Sequence, residues 1–285
     1  MYKISAFFSL LIFLFGFDNC QAQRDSIWQE SPNFNERRDK QTGCVVNNPS
    51  ILVLHYTAVD LEKTIDIFKK KDSVSAHYTI SQEGTVYQHV LEKNRAWHAG
   101  VASWAGISDV NSYSIGIEHI NLGYKWEPNQ PNGIIVNGGL EEWYPFQDLQ
   151  IEKTIFLCKD LLQEYDIKPW NIVGHSDVSV GRKSDPGALY PWEKLFQAGV
   201  GAYQDFTAVY DSMITPDIHT PSISWMQKNL KEWGYSQIPQ TGSFDELTQQ
   251  HLRAFHLHFR QHDISSELDW HSMRILDNLR VRYPH

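Results

Sequence analysis

Between residues 51 and 203 the chain alternates short apolar runs with longer segments in which apolar residues recur at helical spacing. The runs 51–54 and 172–173 are apolar throughout, which predicts strands buried on both faces. Segments 61–71 and 149–165 carry apolar residues at three- and four-residue steps, which predicts amphipathic helices. Strands that alternate with helices indicate an α/β fold with a central mixed β-sheet flanked by helices.

Further elements lie between these segments. Residues 77–80 and 85–90 flank a turn that contains Gly84, and they predict a β-hairpin. The alternating segment 113–120 predicts another strand. The stretch 128–139 is rich in Gly, Pro and Asn, and it predicts a long loop that faces the substrate.

Three apolar sets at helical spacing follow a predicted linker at residues 204–221. They predict a small three-helix domain at residues 222–285, with an apolar core separate from that of a catalytic domain at residues 51–203. The sets are Ile223, Met226, Leu230 and Trp233; Leu247, His251, Ala254, Phe255 and His258; and Met273, Leu276 and Leu279.

Residues 1–22 have the pattern of a secretory signal. Lys3 precedes an apolar stretch at 4–17, which is too short to cross a bilayer because a span needs about 20 residues. Small residues before position 23 favour cleavage there, while a second interpretation makes Cys20 the lipidated first residue of a lipoprotein. Both interpretations predict export to the periplasm or the outer membrane, with a polar N-terminal arm at 23–50.

The composition of the chain argues against one class of binding partner. Its 285 residues carry a formal net charge of −9, which argues against nucleic acid because proteins that bind it present a basic face. The length suits one ordinary domain plus a small one, and we expect a monomer. Cys44 and Cys158 could pair in an oxidising compartment, although a buried thiol fits the apolar helix position of Cys158 equally well.

Candidate metal ligands lie where the predicted strands end. His55 closes the first apolar run, and His175 and Asp185 share a loop that follows the second. Two histidines and one carboxylate are a known ligand set of catalytic zinc, which keeps a fourth position open for water. We therefore expect one Zn²⁺ per chain, bound by these three residues, that lowers the pKa of the bound water.

Six segments in order along the chain carry a resemblance to a known family: LHYT, SAHYTI, AWHAG, SIGIEH, VGHSD and RKSDPG. Together they resemble the amidase-2 (peptidoglycan-recognition-like) family of N-acetylmuramoyl-L-alanine amidases, and within it the AmiD-type enzymes. The C-terminal helices resemble a peptidoglycan-binding type-1 domain, and the alternative is that they form a purely structural cap on the catalytic domain. The resemblance implies an exported zinc amidase that acts on peptidoglycan and muropeptides. It would cut the bond between L-alanine and N-acetylmuramic acid, including the 1,6-anhydro form.

Glu118 is the candidate general base. Alternation along its strand places Ser114, Gly116 and Glu118 on one face and turns His119 to the other. A carboxylate beside a zinc-bound water can take its proton and pass it to the leaving nitrogen. An alternative role for Glu118 is to orient a histidine ligand.

The family pattern supplies the remaining candidate residues. Lys183 matches the lysine two residues before the aspartate ligand, which implies that its ammonium stabilises the oxyanion of the reaction. By the same resemblance, the cleft would be lined by substrate-binding residues His77, Tyr78, Trp97, His98 and Asn121.

Two other functions compete with the amidase. A non-catalytic peptidoglycan-recognition protein would lack a metal ligand, usually the one in the C-terminal loop, whereas Asp185 is present here. A zinc peptidase that cuts stem peptides would also use two histidines and one aspartate. Such peptidases place a His and an Asp seven positions apart, whereas His175 precedes Asp185 by ten. Both comparisons favour the amidase.

Overall fold

A computed structural model of the chain describes residues 26–125, 142–206 and 220–284. The predicted signal segment with Cys20, the predicted loop at 128–139 and most of the predicted linker lie outside these residues. Among the helices in the described ranges, none combines the length and the apolar character that a membrane span requires.

The described part of the chain contains one six-stranded sheet and one two-stranded sheet. The larger sheet consists of β1 (Ile27–Trp28), β3 (Ile51–Tyr56), β4 (Tyr78–Ile80), β5 (Val86–Gln88), β7 (Ser114–His119) and β8 (Ile172–Gly174). Its strand order is β1-β5-β4-β7-β3-β8. Strand β3 is parallel to β7 and β8, whereas β4 and β5 are antiparallel, so the sheet is mixed as predicted. The smaller sheet pairs β2 (Phe34–Glu36) with β6 (Asn94–Ala96).

Helices connect and flank the strands. They are α1 (Leu61–Lys69), α2 (Val110–Tyr113), α3 (Asp148–Tyr165), α4 (His175–Val178), α5 (Trp192–Gln197), α6 (Ile223–Trp233), α7 (Glu246–Phe259) and α8 (Trp270–Arg282). A 3₁₀ turn at Pro169–Asn171 leads into β8. The loop predicted after β8 in fact begins with the short helix α4. Helix α3 ends at Tyr165, as predicted, and the next residue, Asp166, adopts the left-handed conformation (φ 49°).

The central strand β3 sends alternate side chains into two different apolar clusters. Leu52 and Leu54 pack in a cluster that includes Leu157 of α3. Ile51 and Val53 belong to the other cluster. Both faces of the strand are therefore buried, as its uninterrupted apolar run predicts.

The second cluster contains the C-terminal helices. Leu230 of α6, Phe255 of α7 and Leu276 of α8 pack in the same apolar cluster as Ile51 and Val53. The apolar periodicity predicted a separate core for these helices, but their apolar residues share one cluster with residues of the sheet. The physical reason is that three short helices bury too little apolar surface by themselves.

Candidate metal centre and catalytic site

The candidate ligands meet at one edge of the sheet. Strands β3 and β8 are parallel neighbours, so both deliver the residues that follow them to the same edge. His55 lies near the end of β3, and His175 follows β8 as the first residue of α4. Asp185 returns to this edge, where its backbone carbonyl accepts a hydrogen bond of 2.8 Å from the Ser176 N–H.

The three donor atoms form a triangle. His55 Nδ1, His175 Nδ1 and Asp185 Oδ2 lie 3.0 Å from one another. Bond lengths of about 2.0–2.2 Å in a tetrahedral zinc site place ligand atoms about 3.3 Å apart, close to the separations here. All three side chains are buried. The set of two nitrogens and one oxygen therefore fits the zinc that the sequence analysis expects.

The remaining ring nitrogens of the two histidines have partners of their own. His175 Nε2 lies 3.0 Å from the carbonyl oxygen of Ala99, to which it donates. His55 Nε2 lies 3.0 Å from His98 Nδ1. Hydrogen bonds of this kind orient metal-binding imidazoles and leave the opposite nitrogen for the metal.

The charge states of the site also suit a metal. Burial and the neighbouring His175 lower the pKa of His55 to about 4, so its ring is neutral at pH 7. Burial acts to raise the pKa of Asp185, but His175 and His55 outweigh it and hold that pKa below its usual range. A neutral imidazole and an ionised carboxylate are the forms that ligate zinc.

Glu118 stands beside the triangle. It pairs in register with His55 across β7 and β3, with its side chain on the same face of β7 as Ser114 and Gly116. Burial, reinforced by the charge of Asp185, raises the pKa of Glu118 to about 8. Its Oε2 atom is buried and has no hydrogen-bond partner among the residues that the structure describes. This carboxylate is therefore poised to exchange protons.

A cavity of about 460 Å³ opens at the site. Its wall includes His175, Asp185, Glu118 and Lys183, while α1 contributes apolar side chains such as Ile67. A pocket of this size with a few convergent polar groups suits a small organic ligand. Lys183 thus lies on the same cavity as the candidate base and two candidate ligands.

Three residues predicted to contact substrate do not line this cavity. His77 is fully buried and accepts a hydrogen bond of 3.0 Å from the Gly116 N–H. Tyr78 is also fully buried, and its hydroxyl donates to Glu92. Asn121 is buried and donates to the backbone carbonyls of residues 144 and 145. All three side chains are hydrogen-bonded to other groups of the protein. They are therefore part of its interior and not of the cavity wall.

The other two predicted contacts differ from each other. Trp97 is 37% exposed but does not line the cavity, and the guanidinium of Arg95 lies 4.1 Å from the centre of its ring. His98 lines the cavity, yet both of its ring nitrogens are within hydrogen-bond distance of His55 or Ser114. His98 therefore lies behind a candidate ligand, a position that the sequence analysis did not predict.

Asp177 is a further residue that the sequence analysis missed. Its Oδ1 accepts a hydrogen bond of 2.6 Å from the Tyr235 hydroxyl, and its Oδ2 accepts 2.7 Å from the Gly174 N–H and 2.8 Å from His258 Nδ1. Asp177 lies in α4, two residues after His175. We call Asp177, Tyr235 and His258 the α4 contact. Nothing local in the sequence signals it, because Tyr235 and His258 come from the C-terminal helical region.

Two known protein families match this chain, and curated members of the amidase family are similar to it. The N-acetylmuramoyl-L-alanine amidase family matches residues 46–188, and the putative peptidoglycan binding domain matches residues 219–262. The chain is 31% identical to the N-acetylmuramoyl-L-alanine amidase AmiD of Escherichia coli over 272 residues, which cover 93% of each protein. It is 31% identical to the 1,6-anhydro-N-acetylmuramyl-L-alanine amidase AmpD of Haemophilus influenzae, over 59% of this chain and 89% of AmpD.

Solved structures give the same result. The E. coli AmiD complex with anhydro-N-acetylmuramic acid-L-Ala-D-γ-Glu-L-Lys is similar at a TM-score of 0.69 and 32% identity, covering 87% of this chain and 93% of AmiD. AmpDh3 of Pseudomonas aeruginosa is similar at a TM-score of 0.70 and 32% identity, covering 87% of this chain and 98% of AmpDh3. On the family match and on the identity to AmiD over nearly its whole length, the chain belongs to the N-acetylmuramoyl-L-alanine amidase family.

Proposed function

We propose that this protein is an exported zinc amidase that hydrolyses the amide bond between N-acetylmuramic acid and L-alanine in peptidoglycan. The observation that carries the proposal is the triangle of His55 Nδ1, His175 Nδ1 and Asp185 Oδ2 with Glu118 beside it. Amide hydrolysis needs an activated water, a polarised carbonyl and a proton for the leaving amine. A zinc ion held by the triangle would supply the first two, and Glu118 has the chemistry to transfer the proton.

Each residue would have a distinct role. His55, His175 and Asp185 would hold one Zn²⁺, which when bound supplies a Lewis acid and lowers the pKa of water. Glu118 takes the proton of the attacking water on its carboxylate and returns it to the leaving nitrogen. Lys183 places its ammonium near the carbonyl oxygen as negative charge develops there. The buried surroundings strengthen these charge interactions because little water screens them.

The substrates would be muropeptides and intact peptidoglycan. AmiD was solved with an anhydro-muramyl tripeptide and AmpDh3 with an anhydromuramic pentapeptide, which supports acceptance of the 1,6-anhydro form. The match of residues 219–262 to a peptidoglycan-binding domain supports binding of the C-terminal region to the cell wall. We infer a site of action in the periplasm or at the outer membrane, with Cys20 as the anchor if the chain is lipidated.

The deciding experiment uses the purified full-length mature chain, defined muropeptides and intact sacculi, with products identified by mass spectrometry. We expect free stem peptides that begin with L-alanine, about one zinc per chain, and loss of activity after chelation. Asp185→Ala should lose both zinc and activity, because two protein ligands hold a catalytic metal poorly. Cleavage within the stem peptide would instead identify a peptidase, and binding without cleavage would identify a recognition protein.

A further inference from the structure

A continuous chain of hydrogen bonds leads from a candidate ligand into the protein interior. His55 Nε2 lies 3.0 Å from His98 Nδ1, and His98 Nε2 lies 3.1 Å from the Ser114 hydroxyl. That hydroxyl donates a hydrogen bond of 2.7 Å to the backbone carbonyl of Val110. The side chains of His55, His98 and Ser114 are 1%, 8% and 0% exposed, so water does not compete strongly for these groups.

The direction of every hydrogen bond in this chain follows from the last acceptor, the backbone carbonyl of Val110. A carbonyl oxygen can only accept a hydrogen bond, so Ser114 donates its single hydroxyl proton to the Val110 carbonyl. Its oxygen must then accept a hydrogen bond from the N–H at Nε2 of His98. A neutral imidazole carries one N–H, so Nδ1 of His98 is an acceptor. The partner of that acceptor, Nε2 of His55, must be the donor, and Nδ1 of His55 is left with a lone pair.

The surroundings of His98 hold its ring in this place. A side chain at position 116 would put its Cβ 2.5 Å from Cγ of His98, so the glycine in the middle of β7 makes room for the ring. The backbone N–H groups of His98 and Ala99 both donate to Asn111 Oδ1, at 3.1 and 2.9 Å. One face of β7 therefore supplies the hydroxyl of Ser114, the space at Gly116 and the carboxylate of Glu118.

We propose that His98 and Ser114 are positioning residues that fix the tautomer of His55 and so present its Nδ1 to the metal. His175 needs no such chain, because its Nε2 donates directly to the Ala99 carbonyl and a carbonyl oxygen cannot act as a donor. The inference rests on the proposed zinc function, because it concerns the ligand that this function requires. It adds two residues that are not themselves candidate metal ligands.

Substitutions at His98 separate hydrogen bonding from packing. Asn has its side-chain oxygen as many bonds from the backbone as Nδ1 of His98, so His98→Asn should keep an acceptor for His55. His98→Leu fills similar space without an acceptor, and we expect its zinc affinity to fall about 10- to 100-fold. His98→Asn should recover most of that loss. Zinc affinity is measured on the full chain by competition with a chelator, and the visible spectrum of the Co²⁺-substituted protein reports the coordination.

A matched control accounts for general destabilisation. His256 is also buried with both ring nitrogens hydrogen-bonded, to the Ser265 carbonyl and the Ser272 hydroxyl. His256→Leu should lower the melting temperature but leave zinc affinity and the Co²⁺ spectrum unchanged. Equal zinc affinity in wild type and His98→Leu would overturn the proposal. A loss in His98→Asn as large as that in His98→Leu would also overturn it, because packing would then explain both.

The tautomer is open to direct observation in the metal-free protein. Nitrogen-15 NMR of the histidine rings should show His98 protonated at Nε2 and unprotonated at Nδ1. Ser114→Ala removes the group that fixes this choice, so the other tautomer of His98 should become populated. A wild-type His98 that carries its proton on Nδ1 would refute the inference. Because this measurement needs no zinc, failure of the inference and failure of the proposed function can be told apart.

Discussion

Glu118 and Lys183 face the same cavity, and each has a different role in the proposed reaction. Glu118 must change its protonation state, and burial raises its pKa to about 8, close to the operating pH where a general base is most effective. Lys183 must keep its charge and meet an oxyanion. Both groups can be removed without touching a candidate metal ligand, so metal binding and catalysis can be measured separately.

Glu118→Gln keeps the shape of the side chain and removes its ability to carry a proton. We expect kcat to fall by roughly 100- to 10,000-fold, because that is the usual contribution of a positioned base. KM and zinc content should stay close to those of the wild type. Steady-state kinetics with a soluble muropeptide and metal analysis of the same preparation provide the measurements. Loss of zinc from Glu118→Gln would show that the carboxylate orients a ligand instead.

Lys183→Ala should also lower kcat more than it changes KM, because an oxyanion exists only in the transition state and the intermediate. The expected loss is about 100- to 1,000-fold, as for removal of one oxyanion donor. Lys183→Arg should recover little, since a planar guanidinium does not replace a compact ammonium. An unchanged rate would make Lys183 an ordinary solvated residue. Loss of zinc would mean that it organises the loop around Asp185.

At the scale of single residues, the sequence predicted where the candidate ligands lie better than it predicted which residues line the cavity. His55 and His175 could be predicted because each follows a short apolar run, and parallel strands bring such positions to one edge. His77, Tyr78 and Asn121 could not be placed, because a motif shows which residues are adjacent but not which polar groups surround them. In the structure all three are buried and hydrogen-bonded to the protein.

At the scale of elements, helix α4 depends on the C-terminal helices. Four residues are too few to form a stable helix alone, and α4 is held by the α4 contact described above. Since His175 begins α4, the contact also restrains a candidate ligand. Periodicity could not predict this arrangement, because a four-residue helix has no repeat and its partners are distant in sequence.

Tyr235→Phe tests this dependence with a small change. It removes the hydroxyl that donates to Asp177 at 2.6 Å and preserves the ring. We expect a loss of about 1.5–3 kcal/mol in the free energy of unfolding, as for other hydrogen bonds to charged groups, together with weaker zinc binding. Denaturant unfolding and chelator competition measure the two effects.

Tyr113→Phe is the matched control for Tyr235→Phe. Tyr113 is a partly buried tyrosine whose hydroxyl also donates a hydrogen bond of 2.6 Å to a carboxylate, that of Asp39. It should lose stability and keep its zinc affinity. If both variants bound zinc as tightly as the wild type, the α4 contact would contribute to stability alone.

At the scale of the whole molecule, the C-terminal helices complete the core. Amphipathic periodicity predicted that α6, α7 and α8 each have an apolar face, and the structure has these helices. Periodicity does not show what such a face packs against. Here these faces belong to the apolar cluster that also contains alternate residues of β3, and Tyr235, which follows α6, packs its ring against Trp104 of that cluster.

Deleting residues from 222 onwards should therefore unfold the catalytic region. The remaining chain would lose the cover of Trp104, which packs against Tyr235, and the two hydrogen bonds that Tyr235 and His258 donate to Asp177. At about 1.5–3 kcal/mol for each of these three losses, their sum approaches the 5–15 kcal/mol typical of a whole domain. Circular dichroism and a thermal melt of the truncated chain test this expectation. A cooperative melt at the full-length temperature, with muropeptide cleavage retained, would show that the sheet is stable without them.

The position of the ligands in the chain has a kinetic consequence. His55 is 120 residues from His175, and their nitrogens meet only when β3 lies beside β8. An unfolded chain cannot hold both around one ion without closing that long loop, and such non-local contacts form slowly. Metal should thus be acquired after the sheet has formed. Stopped-flow experiments should then show a refolding rate insensitive to zinc and an unfolding rate that falls as zinc is added.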